Sequence, residues 1–267
     1  MIFSFFVRFL MIFEVVILGS ILFPAISTAQ TKVEVLLNEL DKHYYYPQKN
    51  GLLKISARLE WEQQDIKLGK KTFLKNPDFL FYVEFKARNM TKSVKIDDNR
   101  VMLSDDEKLK YTSVLNNYLD VFMPKTLHEK FSEYRGKARI YDKNKILLKL
   151  ETGDSLDKIQ SYELLVDTDK WRLSGLRIRQ NHEPLFVEGK FLYTRKEGKW
   201  MVEEAFSDFT IDGQKYSEKT EYTYKKIQSY WLINKVKQSI RQDGRNIFVY
   251  RFRLDNYKIN SGYRRKF

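Results

Sequence analysis

From Leu52 onward, apolar and polar side chains alternate with a period of two, and turn signals interrupt that alternation again and again. A period of two puts every second side chain on one face of an extended strand, whereas a helix repeats every 3.6 residues. In the first run Leu53, Ile55, Ala57, Leu59 and Trp61 share a face, opposite Lys54, Ser56, Arg58 and Glu60. A second extended stretch is expected from Gln64 to Lys75. After Asn76-Pro77-Asp78, the residues Phe79, Phe81, Val83 and Phe85 fall in phase, and Val94 and Ile96 lead through Asp97-Asp98-Asn99 to a return over 101–103. Beyond Gly136, turn signals recur at Asp142-Lys143-Asn144, Asp167-Thr168-Asp169, Glu197-Gly198, Asp212-Gly213 and Asp243-Gly244. Asp-Gly between apolar runs is a strong hairpin signal, because the turn that matches strand twist needs positive φ at both central residues. The spacing predicts roughly ten or eleven strands joined by short turns, an antiparallel meander.

Two helices stand apart from this pattern. Thr31 to His43 places Val33, Leu36, Leu37 and Leu40 at helical spacing, and Pro47 and Gly51 then break it. Ser104 to Met123 opens with a capping box, Ser104 with Glu107, and Pro124 ends it. Leu127 to Arg135 adds a turn or short helix. A sheet with so many strands must curl or close. The expected fold is therefore α+β and mostly antiparallel β: a curved sheet with an N-terminal helix and a second helix filling its open side, as one domain over 30–261; the resemblance given below makes that sheet a half-barrel and the second helix its lid.

Residues 1–29 read as a signal peptide. Arg8 precedes a nearly continuous apolar run from Met11 to Phe23, broken by Glu14, and Ser27-Thr28-Ala29 offers a small-x-small cleavage site before Gln30. Cleavage after Ser27, or retention as an anchor, stays open; the short run and Glu14 count against a span, which needs about 20 apolar residues. The chain has no Cys, so neither disulfides nor lipidation of an N-terminal Cys is available. Lys and Arg number 48 against 35 Asp and Glu, and 48 − 35 leaves +13. Such an excess is drawn to anionic surfaces. In an exported protein the expected partner is anionic lipid or envelope polymer, not nucleic acid. Residues 262–267 form a basic tail, and a monomer is expected.

No catalytic constellation appears. His43, His128 and His182 are isolated from any metal-ligand spacing, and no G-x-S-x-G, P-loop or G-x-G-x-x-G occurs. Ser155-Leu156-Asp157-Lys158 matches S-x-x-K without the S-D-N or K-T-G that should accompany it. Asp97-Asp98-Asn99 lacks the spacing of a calcium loop. The expectation is a protein without enzymatic activity, metal or cofactor.

The order of parts resembles the LolA/LolB-like proteins, exported bacterial carriers of lipoproteins, and the related outer-membrane lipoprotein-sorting proteins, over about Thr31 to Ser261. The resemblance is carried by the segment from Leu68 to Phe79 with its Pro77, by a hairpin from Ile96 to Leu103 followed by a helix from Ser104, and by the ending Asn256-Tyr257-Lys258-Ile259-Asn260. Where family members usually place Arg after the Pro, this chain has Phe79, Leu80 and Phe81. The resemblance implies a half-open barrel holding a lipid or lipoprotein acyl chain, with Trp61, Phe79, Phe81, Val83 and Phe85 facing the gap and Leu115, Tyr118 and Leu119 on the lid. Read from the residues alone, the same aromatic stripes are rather the core of a closed sandwich, as most such stripes are, and the resemblance brings the two readings nearly level. A second reading of the fold is a non-enzymatic envelope module that binds a protein partner through an apolar patch or a sheet edge.

Overall fold

The structure is a computed structural model that describes residues 28–86, 89–97, 102–153 and 158–260. Most of the signal segment and the whole basic tail lie outside the described residues, as do most of the S-x-x-K motif and Asp98-Asn99. The chain opens with α1 (Thr28–His43), a 3₁₀ turn at Pro47–Asn50, and the strands β1 (Lys54–Asp65), β2 (Leu74–Lys75), β3 (Phe79–Lys86) and β4 (Asn89–Ile96). Three helices follow, α2 (Asp105–Asn116), α3 (Leu119–Phe122) and α4 (Leu127–Lys130). The rest is β: β5 (Arg135–Asp142), β6 (Lys145–Glu151), β7 (Ile159–Asp167), β8 (Arg172–Gln180) and β9 (Phe186–Lys196). Then come β10 (Lys199–Ile211), β11 (Gln214–Ile227), β12 (Tyr230–Gln242) and β13 (Arg245–Ile259).

All thirteen strands form one antiparallel sheet in the order β4-β3-β1-β13-β12-β11-β10-β9-β8-β7-β6-β5, with β2 beside β1. From β5 to β13 every strand pairs with its successor in the chain, and one long-range pairing, β1 with β13, joins the N-terminal strands to the meander. The edges β4 and β5 do not meet, so the sheet is an open half-barrel. The hairpin signals do what their chemistry demands. Glu197, Asp212 and Asp243 take φ of 51°, 50° and 48°, each followed by a Gly at positive φ.

Three expectations are corrected. The stretch from Gln64 to Lys75 is not a strand: β1 ends at Asp65, whose carboxylate accepts from the Leu68 amide at 3.0 Å, and Gly69 at φ 71° turns the chain. Only Leu74–Lys75 then pairs. No strand forms over 102–103, and Val101 lies outside the described residues. The long helix from Ser104 keeps its capping box, with the Glu107 amide donating to Ser104 Oγ at 3.3 Å, but it breaks after Asn116. That break lets Tyr118 and Phe122 lie on Phe252, with ring centroids 4.4 and 5.4 Å away.

Two cores fill the concave side. In the first, Leu59 pairs with Phe79 and Leu254, and Trp61 pairs with Phe252, all beneath α2 and α3. In the second, Leu148 and Leu150 of β6 face Leu164 and Tyr162 of β7, and α1 seats Val33, Leu37 and Leu40 on them. Gly136 is needed there, because a Cβ on it would sit 2.7 Å from Leu150 Cδ2 and 3.0 Å from the Val33 methyls. No helix among the described residues is long and apolar enough to cross a membrane.

Candidate functional site: an apolar cavity between two cores

Between the two cores the concave side is hollow. Strands β9 and β10 continue the alternation, but their inward positions include Gly189, Ala205 and Ser207; Gly189 pairs with Ser207, and Ala205 with Phe191. Leu176 covers Gly189, its Cβ 3.4 Å from where a Gly189 Cβ would sit, whereas the short side chain of Ala205 leaves open volume beside it. The result is a cavity of about 300 Å³. Its strand walls include Leu164, Leu176, Phe191, Ala205, Tyr222 and Leu232. Its roof is Val121, Phe122 and Met123 of α3, together with Leu127, Lys130 and Phe131 from α4 onward, and its end is closed by Tyr44, Tyr45, Tyr46 and Pro47.

Several aromatic side chains of this wall satisfy their polar tips and leave ring faces to the space. Tyr44 donates to Tyr193 Oη at 3.0 Å and accepts from the Leu173 amide at 2.8 Å; Tyr224 donates to the Val202 carbonyl at 2.7 Å. Trp200 Nε1 donates to the Lys170 carbonyl at 2.8 Å. Burial pushes the Tyr44 hydroxyl up to about 12 and raises Tyr46 and Tyr193 well above the usual phenol range, so these groups stay neutral at physiological pH. The Tyr44–Pro47 segment is tied down by Asp41. One carboxylate oxygen of Asp41 accepts from Tyr46 Oη at 2.7 Å and the Leu127 amide at 2.8 Å; the other accepts from the His128 amide at 3.0 Å. A capping box of Thr126 with Glu129 completes the start of α4. One buried acid thus fixes both the end plug and the helix that carries Lys130 into the wall.

Three of the four Trp gather at one end of the sheet. In an antiparallel meander alternate turns share an end, and the turns after β7, β9 and β11 place Trp171, Trp200 and Trp231 there. Cations surround them. Arg172 and Arg195 lie 5.0 and 4.0 Å from the Trp200 ring centroid, and Lys196 and Lys226 lie 4.8 and 5.9 Å from that of Trp231. Trp200 and Trp231 also line the cavity.

The eight residues singled out in the sequence do come together, but in the first core rather than around this space. Trp61, Phe79, Phe81, Val83, Leu115 and Tyr118 are buried there, with Phe85 and Leu119 half-buried against them. None of the eight lines the 300 Å³ cavity. Phe122 joins the two regions, because it lines the cavity while its ring meets Phe81 at 5.6 Å. The residues that sequence reasoning missed are the Tyr44-Tyr45-Tyr46 run, Lys130 and Ala205 of β10. Ala205 inside an otherwise apolar alternation was the available signal. Among the described residues no group of three or more His, Asp or Glu side chains converges as a metal site would require.

No protein-family model and no curated protein matches the sequence. Solved structures do. Over 87% of its length, and 94% of theirs, the chain is similar to an outer membrane lipoprotein-sorting protein domain from Vibrio parahaemolyticus (8% identity, TM-score 0.41) and to a LolA superfamily protein from Nitrosomonas europaea (9%, 0.34). Over 89% of its length and 96% of the other chain, it is similar to a DUF1329 family protein from Desulfovibrio piger (11%, 0.42).

Proposed function

We propose that this chain is an exported envelope protein, periplasmic and without enzymatic activity, that binds or carries an apolar chain of a lipid or lipoprotein in the cavity between its cores. The observation that carries the reading is the cavity itself, whose wall is mainly aromatic and aliphatic, with the polar tips of Tyr44, Tyr224 and Trp200 already engaged. Burial of a chain there is non-directional and contributes about 0.8 kcal/mol per CH₂. The helices α2 and α3 act as a lid. Because Phe122 is shared by cavity and first core, moving α3 would extend the space over Trp61, Phe79, Phe81, Val83 and Phe85, with Leu115, Tyr118 and Leu119 on the moving side. The end bearing Trp171, Trp200 and Trp231 among Arg and Lys suits an anionic membrane surface, where amphipathic rings and cations both gain.

Native mass spectrometry with solvent extraction tests this on protein purified without detergent from a bacterial periplasm. Bound acyl chain in the wild type, lost in Ala205→Trp with an unchanged circular dichroism spectrum, supports the reading. A folded, empty protein that also refuses added palmitate sinks it. A second reading, protein-partner binding, is favoured by the edge strand β5. Ile140 there is 83% exposed and borders one surface hollow with Val35 of α1, itself 61% exposed, an apolar patch next to the outer edge of the sheet.

A further inference from the structure

The cavity wall is not uniformly apolar, and its charges do not balance. Asp120, Lys125 and Lys130 all border the space. The Asp120 carboxylate is already taken by Lys92, whose side chain is 6% exposed, so the pair is an internal link between β4 and α3. Among the described residues no carboxylate forms an ion pair with Lys130. Its ammonium instead lies 5.7 and 5.8 Å from the ring centroids of Phe131 and Tyr162, both in the wall. Ring faces replace only part of the hydration that an ammonium loses on burial. Burial accordingly lowers its pKa, with the Asp120 charge working the other way and that of Lys125 adding to the shift. The lysine is also held in place: its amide donates to the Thr126 carbonyl at 2.9 Å, within a helix whose start is bound by buried Asp41. A fixed, unpaired cation at the border of an apolar space is an arrangement that an anion completes.

We propose that the cavity takes a single-chain amphiphile with an anionic head group, a carboxylate or a phosphate, and that Lys130 Nζ meets that charge while the chain lies against Leu164, Phe191 and Ala205. This rests on the apolar-chain reading above and names the ligand class. The single chain follows from size, because about 300 Å³ stands at the small end of ligand pockets, which run from roughly 300 to 1,000 Å³. Two or three chains would need the lid displaced; one does not. The carboxylate of a free fatty acid and the phosphate of a lysophospholipid present the same chemistry to an ammonium.

The test is titration of the mature chain with palmitate, hexadecyl phosphate and hexadecanol, three probes with the same tail, followed by the fluorescence of Trp200 and Trp231. The wild type should bind the two anions at least tenfold more tightly than the alcohol. Lys130→Met should bring all three to parity without weakening hexadecanol, and Lys130→Arg should keep the preference. A carboxylate preferred over the phosphate points to fatty acid as the source, and the reverse to a phospholipid. Equal binding of all three by the wild type overturns the anionic head group while leaving the apolar-chain reading intact. Binding of none overturns both. A preference that survives Lys130→Met takes the role from Lys130. Should Lys130→Met fail to fold, the wild-type ratios and Lys130→Arg still decide.

Discussion

The wing built from β1, β3, β12 and β13 and the centre built from β8, β9 and β10 use similar raw material to opposite ends. Both present alternating strands with aromatic side chains on the concave face. In the wing the rings interlock beneath α2 and α3: Tyr118 on Phe252 at 4.4 Å, Phe122 on Phe252 at 5.4 Å, Phe81 on Phe122 at 5.6 Å. In the centre Gly189, Ala205 and Ser207 interrupt the row, and the helices lie against the outer strands, α2 and α3 on β4 and α1 on β5. One region becomes core and the other a cavity. An inward apolar side chain is core only when something of the right size comes to lie on it.

Substitutions in the two regions sharpen that contrast. Phe252→Ala should cost about 3–5 kcal/mol, since it empties a ring-packed position, whereas Phe191→Ala, whose ring already borders open space, should cost about 1 kcal/mol. Urea denaturation measures both, and equal losses would erase the distinction between wing and centre.

Beside the wing, on β11, the protein also hides an acid. Glu218 accepts from Gln238 Nε2 at 2.6 Å and Thr220 Oγ1 at 3.3 Å, Tyr118 donates to Gln238 Oε1 at 2.7 Å, and Glu218 Oε2 has no partner. Burial pushes this carboxyl from 4.5 up to about 7. The folded state therefore holds a proton that the unfolded state has released between those two values, so stability falls as pH rises from about 4.5 to about 7. The shift of about 7 − 4.5 = 2.5 corresponds to about 3 kcal/mol at 1.36 kcal/mol per unit. Glu218→Gln should flatten that slope and stabilise the protein at pH 8 by up to that amount. Denaturation midpoints at pH 5 and 8 check it, and an unchanged slope would place the pH dependence elsewhere.

Gly136→Ala should lift α1 from β6 and cost about 1–3 kcal/mol by overpacking, read as a drop in thermal midpoint. The smallest effect belongs to the outward side chains. Arg177 and Glu188 pair at 2.5 Å with side chains 53% and 58% exposed, so Arg177→Ala should change stability by less than about 1 kcal/mol. A larger loss there would mean that the solvent face contributes to the centre what its hollow inner face does not.

Much of the architecture was legible along the chain. The alternation from Ile55 to Trp61, the turns at Gly198, Gly213 and Gly244, and the capping box at Ser104 each report local chemistry, and each appears where it was read; Leu53, read on the same face, precedes β1 and is 40% exposed. Gln64 to Lys75 misled because alternation cannot see Asp65 closing a turn onto Leu68. The cavity was harder. Lys130 sits in a four-residue helix, and Tyr44, Tyr45 and Tyr46 follow α1 with no periodicity to mark them. Their roles arise from partners far along the chain, such as Tyr193 for Tyr44 and Tyr162 beside Lys130.

By itself the sequence determined most of the strands, with their inward and outward faces and their turns, because side-chain period and turn dihedrals are set by neighbours in the chain. Tertiary structure alone decided which inward face would be filled. That depends on where β13 returns to pair with β1, and on where the helices come to rest over a sheet whose two edges never meet. It left Trp61 and Phe252 in a closed core and left Phe191 and Lys130 at the edge of a space.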